Sequence, residues 1–183
     1  TNLKTCKLDK DPCLNQGYMG PACKCLCPPG TKGKNCEVLK MSYEDAMLKL
    51  FWPNSTKITK PNTVVQTPGY PDAVNSELVM DIVLQAGKCE RVVLTFEGFS
   101  VMERSAQGLC QSDKLAIKSK VDDASPRTFC GKEILPGQVF KSDQSLLILS
   151  YHGFNYAGVW GNNGGTTGWK ALFTKERIPG CTG

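Results

Sequence analysis

RVVLTFEGF (91–99) presents two faces in alternation: Val92, Leu94 and Phe96 on one, Val93, Thr95 and Glu97 on the other. A period of two predicts a half-buried β-strand. KLAIKS (114–119) repeats the pattern, with Leu115 and Ile117 opposed to Ala116 and Lys118. Outward from these lie TVVQT (63–67), ELVMDIVLQ (77–85), RTFC (127–130), QVF (138–140), SLLILSY (145–151) and GWKALFTK (168–175). All are short, rich in Val, Ile, Leu and Phe, and bounded by Gly, Pro, Asp and Ser. Such a series after residue 60, with no convincing helix, predicts an antiparallel β-sandwich. A single sheet could not cover this much apolar surface.

The whole chain has 183 residues, 10 Cys, 18 Gly and 11 Pro, and a net charge of +5. Its hydrophobic content of 40% is enough to bury a core. No apolar run approaches the ~18 residues of a membrane helix, so membrane insertion is not expected. The chain opens at Thr1 with no signal-like apolar segment. It is expected to be a processed secreted product or an excised fragment.

The cysteines are unevenly spread. Cys6, Cys13, Cys23, Cys25, Cys27 and Cys36 crowd the first 36 residues, whereas Cys89, Cys110, Cys130 and Cys181 are dispersed. An even number at dense spacing predicts a disulfide framework in an oxidising compartment. Zinc is the weaker reading, because Cys23-Lys-Cys25-Leu-Cys27 lacks the CxxC pairs of zinc knuckles. Residues 1–36 carry six Lys and two Asp, a net of +4, which leaves +1 for the other 147. With few apolar side chains, a module this small needs covalent staples. Gly30 and Gly33 of CPPGTKGKNC (27–36) are expected to make two tight turns.

SYEDAMLKLFW (42–52) spaces Ala46, Met47, Leu50 and Phe51 like a short helix, with Ser42 or Asp45 as possible cap and Pro53 as terminator. Asn54-Ser55-Thr56 is the only N-x-[ST] sequon. An occupied glycan site at Asn54 is expected, against the alternative of an unused surface tripeptide.

The spacing C-x6-C-x9-C-x-C-x-C-x8-C, with PCLNQGY (12–18) and CPPGTKGKNCE (27–37), resembles an EGF-like module. The resemblance implies the pairs Cys6–Cys23, Cys13–Cys25 and Cys27–Cys36. Spacing alone leaves about 15 pairings open. TNLKT (1–5) lacks the acidic residues of calcium-binding EGF modules, and Thr31 or Lys32 replaces an aromatic often found there. A calcium-free structural module is expected.

TPGYP (67–71), VVLTFEGF (92–99), LCQSDKLAI (109–117), FCG (129–131) and GWKALF (168–173) follow in the order of a CUB domain. The resemblance covers roughly 57–176. It implies a Cys110–Cys130 bridge, which leaves Cys89 and Cys181 for each other. The usual first bridge of the family is missing, with Met80 near one of its positions. The organisation expected is an EGF-like module at 1–40, a junction at 41–56 and a jelly-roll-like CUB domain at 57–183.

Enzyme chemistry fails on inventory. His152 is the only histidine, so HExxH zinc chemistry has no second ligand. YHGFN (151–155) offers no GxSxG-like context for a serine nucleophile. GNNGGTTG (161–168) is not a phosphate-binding loop. The CUB resemblance implies a calcium site of one Glu and two Asp in many members. Here Asp113 takes the first Asp position, Met102 replaces the Glu with Glu103 one place beyond, and Asn155 stands near the second Asp. No metal and no other cofactor is expected.

HGFNYAGVWGNNGGTT (152–167) sets Phe154, Tyr156 and Trp160 among five glycines. Exposed aromatics there would form a partner-binding edge. Alternatively, Phe154 and Trp160 fold back and cap the sandwich.

With its compact CxCxC ending, CLNQGYMGPACKCLCPPGTKGKNCE (13–37) ahead of the CUB motifs resembles the non-catalytic C-terminal region of secreted astacin-family zinc metalloproteases, invertebrate and nematode members above all. The resemblance implies an extracellular, non-enzymatic region that contacts a substrate, matrix protein or receptor and directs proteolysis. Two rivals stand beside it: a free-standing secreted EGF-CUB ligand or immune modulator, and a glycan-binding module. Nucleic acid is not an expected partner, because the modest positive charge sits on a stapled module with little aromatic interleaving.

Overall fold

The computed structural model describes residues 2–72, 77–153 and 166–183. The chain divides into two compact units, Thr1–Pro53 and Asn54–Gly183.

The first unit is held by covalent staples. It comprises α1 (Asn2–Thr5), β1 (Tyr18–Met19), β2 (Cys25–Leu26), β3 (Thr31–Lys32), β4 (Val38–Leu39) and α2 (Tyr43–Phe51). Strands β1 and β2 pair, as do β3 and β4. The bridges are Cys6–Cys23, Cys13–Cys25 and Cys27–Cys36, and they fit an EGF-like module. The Asp11 carboxylate accepts the Cys13 and Met19 N–H groups at 2.9 and 3.2 Å, tying the start of the framework to β1. Gly30 and Gly33 have φ of 87° and 103°, the left-handed backbone their turns require.

Helix α2 begins at Ser42, whose Oγ accepts the Asp45 N–H at 3.1 Å. Glu44 and Asp45 in the first turn and Lys49 in the last suit the helix dipole. The buried residues differ from the stripe read in the sequence. Ala46 and Leu48 are buried, whereas Leu50 and Phe51 are exposed. Periodicity reports which side of a helix could be buried. The neighbours available to cover it decide which side is, and a stapled unit offers few.

The second unit is a two-sheet sandwich. Its strands are β5 (Thr56–Ile58), β6 (Thr63–Gln66), β7 (Leu78–Gln85), β8 (Glu90–Ser100), β9 (Lys114–Lys118), β10 (Arg127–Phe129), β11 (Val139–Lys141), β12 (Leu146–Gly153) and β13 (Gly168–Arg177). One sheet has the order β10-β9-β12-β7-β5 and the other β11-β8-β13-β6. Inward side chains of both sheets merge in one core, with Leu84, Leu115, Ile117 and Leu149 from the first and Leu94, Phe96, Trp169 and Phe173 from the second. The ring of Phe96 lies 5.5 Å from that of Phe140 and 6.1 Å from those of Phe99 and Trp169, centroid to centroid.

Two details depart from simple antiparallel alternation. Strand β5 runs parallel to β7, with Thr56 opposite Ile82 and Ile58 opposite Leu84. Three residues are too short to leave a period. In β8 a register shift sets Phe96 opposite Ala171 but Gly98 opposite Lys170. The extra residue re-phases the strand, so Val92, Leu94 and Phe96 face the core before it and Phe99 after it.

Candidate functional site

All ten cysteines are in disulfides. In the second unit Cys110 is bonded to Cys130 and Cys89 to Cys181. The expected partner-binding residues Phe154, Tyr156 and Trp160 lie outside the described residues, as does Asn155. The described residues flanking them are the end of β12 and the start of β13. His152 sits opposite Val79 on β7 and Lys114 on β9, and its Nε2 lies 3.2 Å from Glu77 Oε1. Asn54 is exposed at the head of the second unit.

Asp113, just before β9, is buried, and its Oδ2 accepts the Met102 N–H at 3.0 Å. It thereby fastens the 101–113 loop to the sheet. Nearby, burial pushes the Tyr151 phenol well above its ordinary pKa, and the Asp113 charge adds to the effect.

The calcium set found in many CUB domains does not fit the residues in place here. Met102 offers a backbone donor to Asp113 where the family has a carboxylate. Glu103 is exposed and lies over Gly131 instead. Among the described residues, the clusters of metal-ligating type are Asp11 with Cys13 and Cys25, and Glu133 with Cys110 and Cys130. Neither contains Asp113, and in both the cysteine sulfurs are spent in disulfides.

A polar clamp around Cys110–Cys130 was not expected from the sequence. Arg104 pairs with Glu133 and donates to the Gly108 and Thr128 carbonyls, both at 3.0 Å. Glu133 also accepts the Cys130 N–H at 2.7 Å. The Arg104 guanidinium, and then the Cys130 amide, hold the Glu133 carboxyl below its ordinary pKa. Arg104 and Glu133 are 29 residues apart, and no local motif joins them.

A groove of about 350 Å³ lies between β5, β6 and β7 and includes Asn54. The first unit has a hollow of about 570 Å³ whose lining includes Leu8, Met19, Lys24 and Lys34. Neither gathers a nucleophile, a base and an oxyanion donor, as a hydrolytic site would.

Residues 54–157 match the family model of the CUB domain. This chain belongs to the CUB-domain family. A CUB domain is a non-catalytic protein-interaction module, and such domains and disulfide-rich modules occur in extracellular proteins. Blastula protease 10 of Paracentrotus lividus is 24% identical over 138 residues, which is 75% of this chain and 21% of that protein. Zinc metalloproteinase nas-38 of Caenorhabditis elegans is 26% identical over 164 residues, 84% of this chain and 21% of that protein. These relatives are astacin-family metalloproteases, and the chain spans about a fifth of their length. The solved MASP-1 CUB2 domain bound to Ca2+ aligns with a TM-score of 0.50 at 16% identity, covering 64% of this chain and 96% of that domain, a likeness of fold alone.

Proposed function

We propose that this chain is the recognition region of a secreted astacin-type zinc metalloprotease and brings a protein substrate or partner to a catalytic domain elsewhere in the same protein. One observation carries the reading. The similarity to nas-38 covers 84% of the chain, more than the second unit by itself contains, so it includes part of the stapled first unit. The likeness to a metalloprotease thus reaches beyond the CUB domain into the first unit.

Contact is assigned to the end of the sandwich bearing 152–167 and its neighbouring loops, with Phe154, Tyr156 and Trp160 as anchors. Sheets hold loops at their ends in fixed relation, and buried aromatic anchors typically supply much of an interface's binding energy. The test compares the parent protease with and without this region on its native protein substrate and on a short peptide. A recognition region lowers kcat/KM for the protein when removed and leaves the peptide unchanged. Equal rates on the protein would overturn the reading. Trp160→Ala and Tyr156→Ala, made in the full protease, are expected to reproduce the loss without lowering Tm. A fall in Tm would instead assign these rings to the core.

A further inference from the structure

The two sheets end on the same side of the sandwich in β5 and β6, each paired on one edge only. The chain passes from one sheet to the other through residues 59–62, between β5 and β6, and returns to the first sheet at β7. Along the seam between these edges runs the groove of about 350 Å³. Its lining includes Ile58, Val64 and Val79, and Val64 and Val79 are 50% and 63% exposed. Gln66 and Asp81 supply polar groups; Asp81 Oδ1 already accepts from Ser150 Oγ at 2.8 Å, leaving the second oxygen for a further donor. Open edges beside exposed apolar side chains invite pairing with other chains unless something covers them.

The cover is carried by the chain itself. Asn54, the acceptor of the Asn54-Ser55-Thr56 sequon, is exposed and is one of the groove's lining residues. It follows Pro53, outside α2, in a turn. We propose that Asn54 carries an N-linked glycan whose first sugars lie in this groove and cover the open edge between the two sheets. A pyranose suits such a lining. Its C–H face packs on Ile58, Val64 and Val79, while its hydroxyl and acetamide groups bond to Gln66 and Asp81. Because the sugar is tethered at the rim, occupancy needs little intrinsic affinity.

The modification is a redox-neutral transfer from a polyprenyl-diphosphate-linked oligosaccharide. A bond forms from the Asn54 amide nitrogen to the donor sugar's C1, and the bond from C1 to the phosphate oxygen breaks. The diphosphate leaves with the electron pair, and the amide nitrogen gives up a proton.

The inference rests on the extracellular reading above. Its test is therefore made on the full two-unit chain with an added secretion signal, in a glycosylating host, so that failure counts against the glycan and leaves the extracellular reading standing. Peptide mapping is expected to find Asn54 substituted. Trimming the glycan enzymatically to one sugar, and removing it altogether, should shift the methyl resonances of Ile58, Val64 and Val79. Complete removal should lower Tm by about 2–4 °C and raise binding of a hydrophobic dye. Asn54→Gln should match the fully deglycosylated protein, and Val64→Ser with Val79→Ser should abolish the Tm difference between glycosylated and deglycosylated forms. Three results would overturn the proposal: an unmodified Asn54, a glycan whose removal leaves all three methyl sets unmoved, or a dimer whose interface protects this groove while the glycan is in place.

Discussion

Thr67 is fully buried, and its Oγ1 accepts the Trp169 N–H at 3.1 Å while its own N–H donates to the Trp169 carbonyl at 2.9 Å. This clamp joins the TPGYP motif that opens the sandwich to the GWKALF motif that closes it, 102 residues apart. Thr67→Val keeps the shape and orphans the Trp169 amide, so a loss of about 1–3 kcal/mol in urea unfolding is expected. Gly168→Ala should be worse. Its φ is 78°, and a Cβ there would lie 2.0 Å from Thr67 Oγ1. The Arg104–Glu133 pair makes a pH prediction. Glu133 is held below its ordinary value of 4.5, by Arg104 first, so it binds its proton less readily folded than unfolded. Its stabilising contribution is therefore complete above the unfolded value and lost as pH falls through the folded one. The gap in urea midpoint between the parent and Glu133→Gln should be flat above about pH 5 and close at lower pH. A gap that stays constant down to pH 3 would remove the pair from the account.

At the scale of elements, α2 depends on its first turn. Ser42→Ala removes the acceptor of the Asp45 N–H and should weaken the helix by about 0.5–2 kcal/mol, read as faster amide exchange from Asp45 through Leu50. Strands β8 and β13 show how much of an element is written locally. The inward residues Val92, Leu94 and Phe96 follow from alternation, and so do Ala171 and Phe173. Phe99 does not, because the register shift opposite Lys170 and Ala171 reverses the phase. A bulge leaves no period of its own, and here only pairing with β13 reveals it. The outer face of this sheet carries Arg91 of β8 and Lys141 of β11 on Glu176 and Lys170 on Glu97, and past the end of the core Lys175 pairs with Glu90 on the inward face. These exposed cross-strand pairs favour the observed register, but screening by solvent keeps each contribution small.

For the whole molecule, the two units depend on different physics. The first has three short disulfide loops and few buried apolar side chains; the second has a continuous two-sheet core with two bridges. Graded reduction should separate them. Residues 1–53 are expected to lose their amide protection first, while methyl resonances of Leu94, Leu149 and Val65 keep their native dispersion. Opening Cys89–Cys181, which spans 92 residues, should still lower the second unit's stability, by up to about 4–5 kcal/mol from loop closure. If one cooperative transition removes both units together, the division of labour is wrong.

The mostly β character, the succession of β6 to β13 along the chain and the stapled nature of the first unit were legible in the sequence, because side-chain alternation and cysteine spacing are local and written every few residues. That Met102 stands where the calcium set of many CUB domains has a carboxylate is likewise read from the sequence. The rest came from tertiary structure. That Ala46 and Leu48 are buried while Leu50 and Phe51 are not, that Arg104 finds Glu133, that Thr67 clasps Trp169, and that Asn54 stands at the rim of an apolar seam are facts about residues distant in the chain or about what happens to cover them. Such contacts leave no period and no motif. They arise only when the sheets have closed on a common core and set those side chains beside one another.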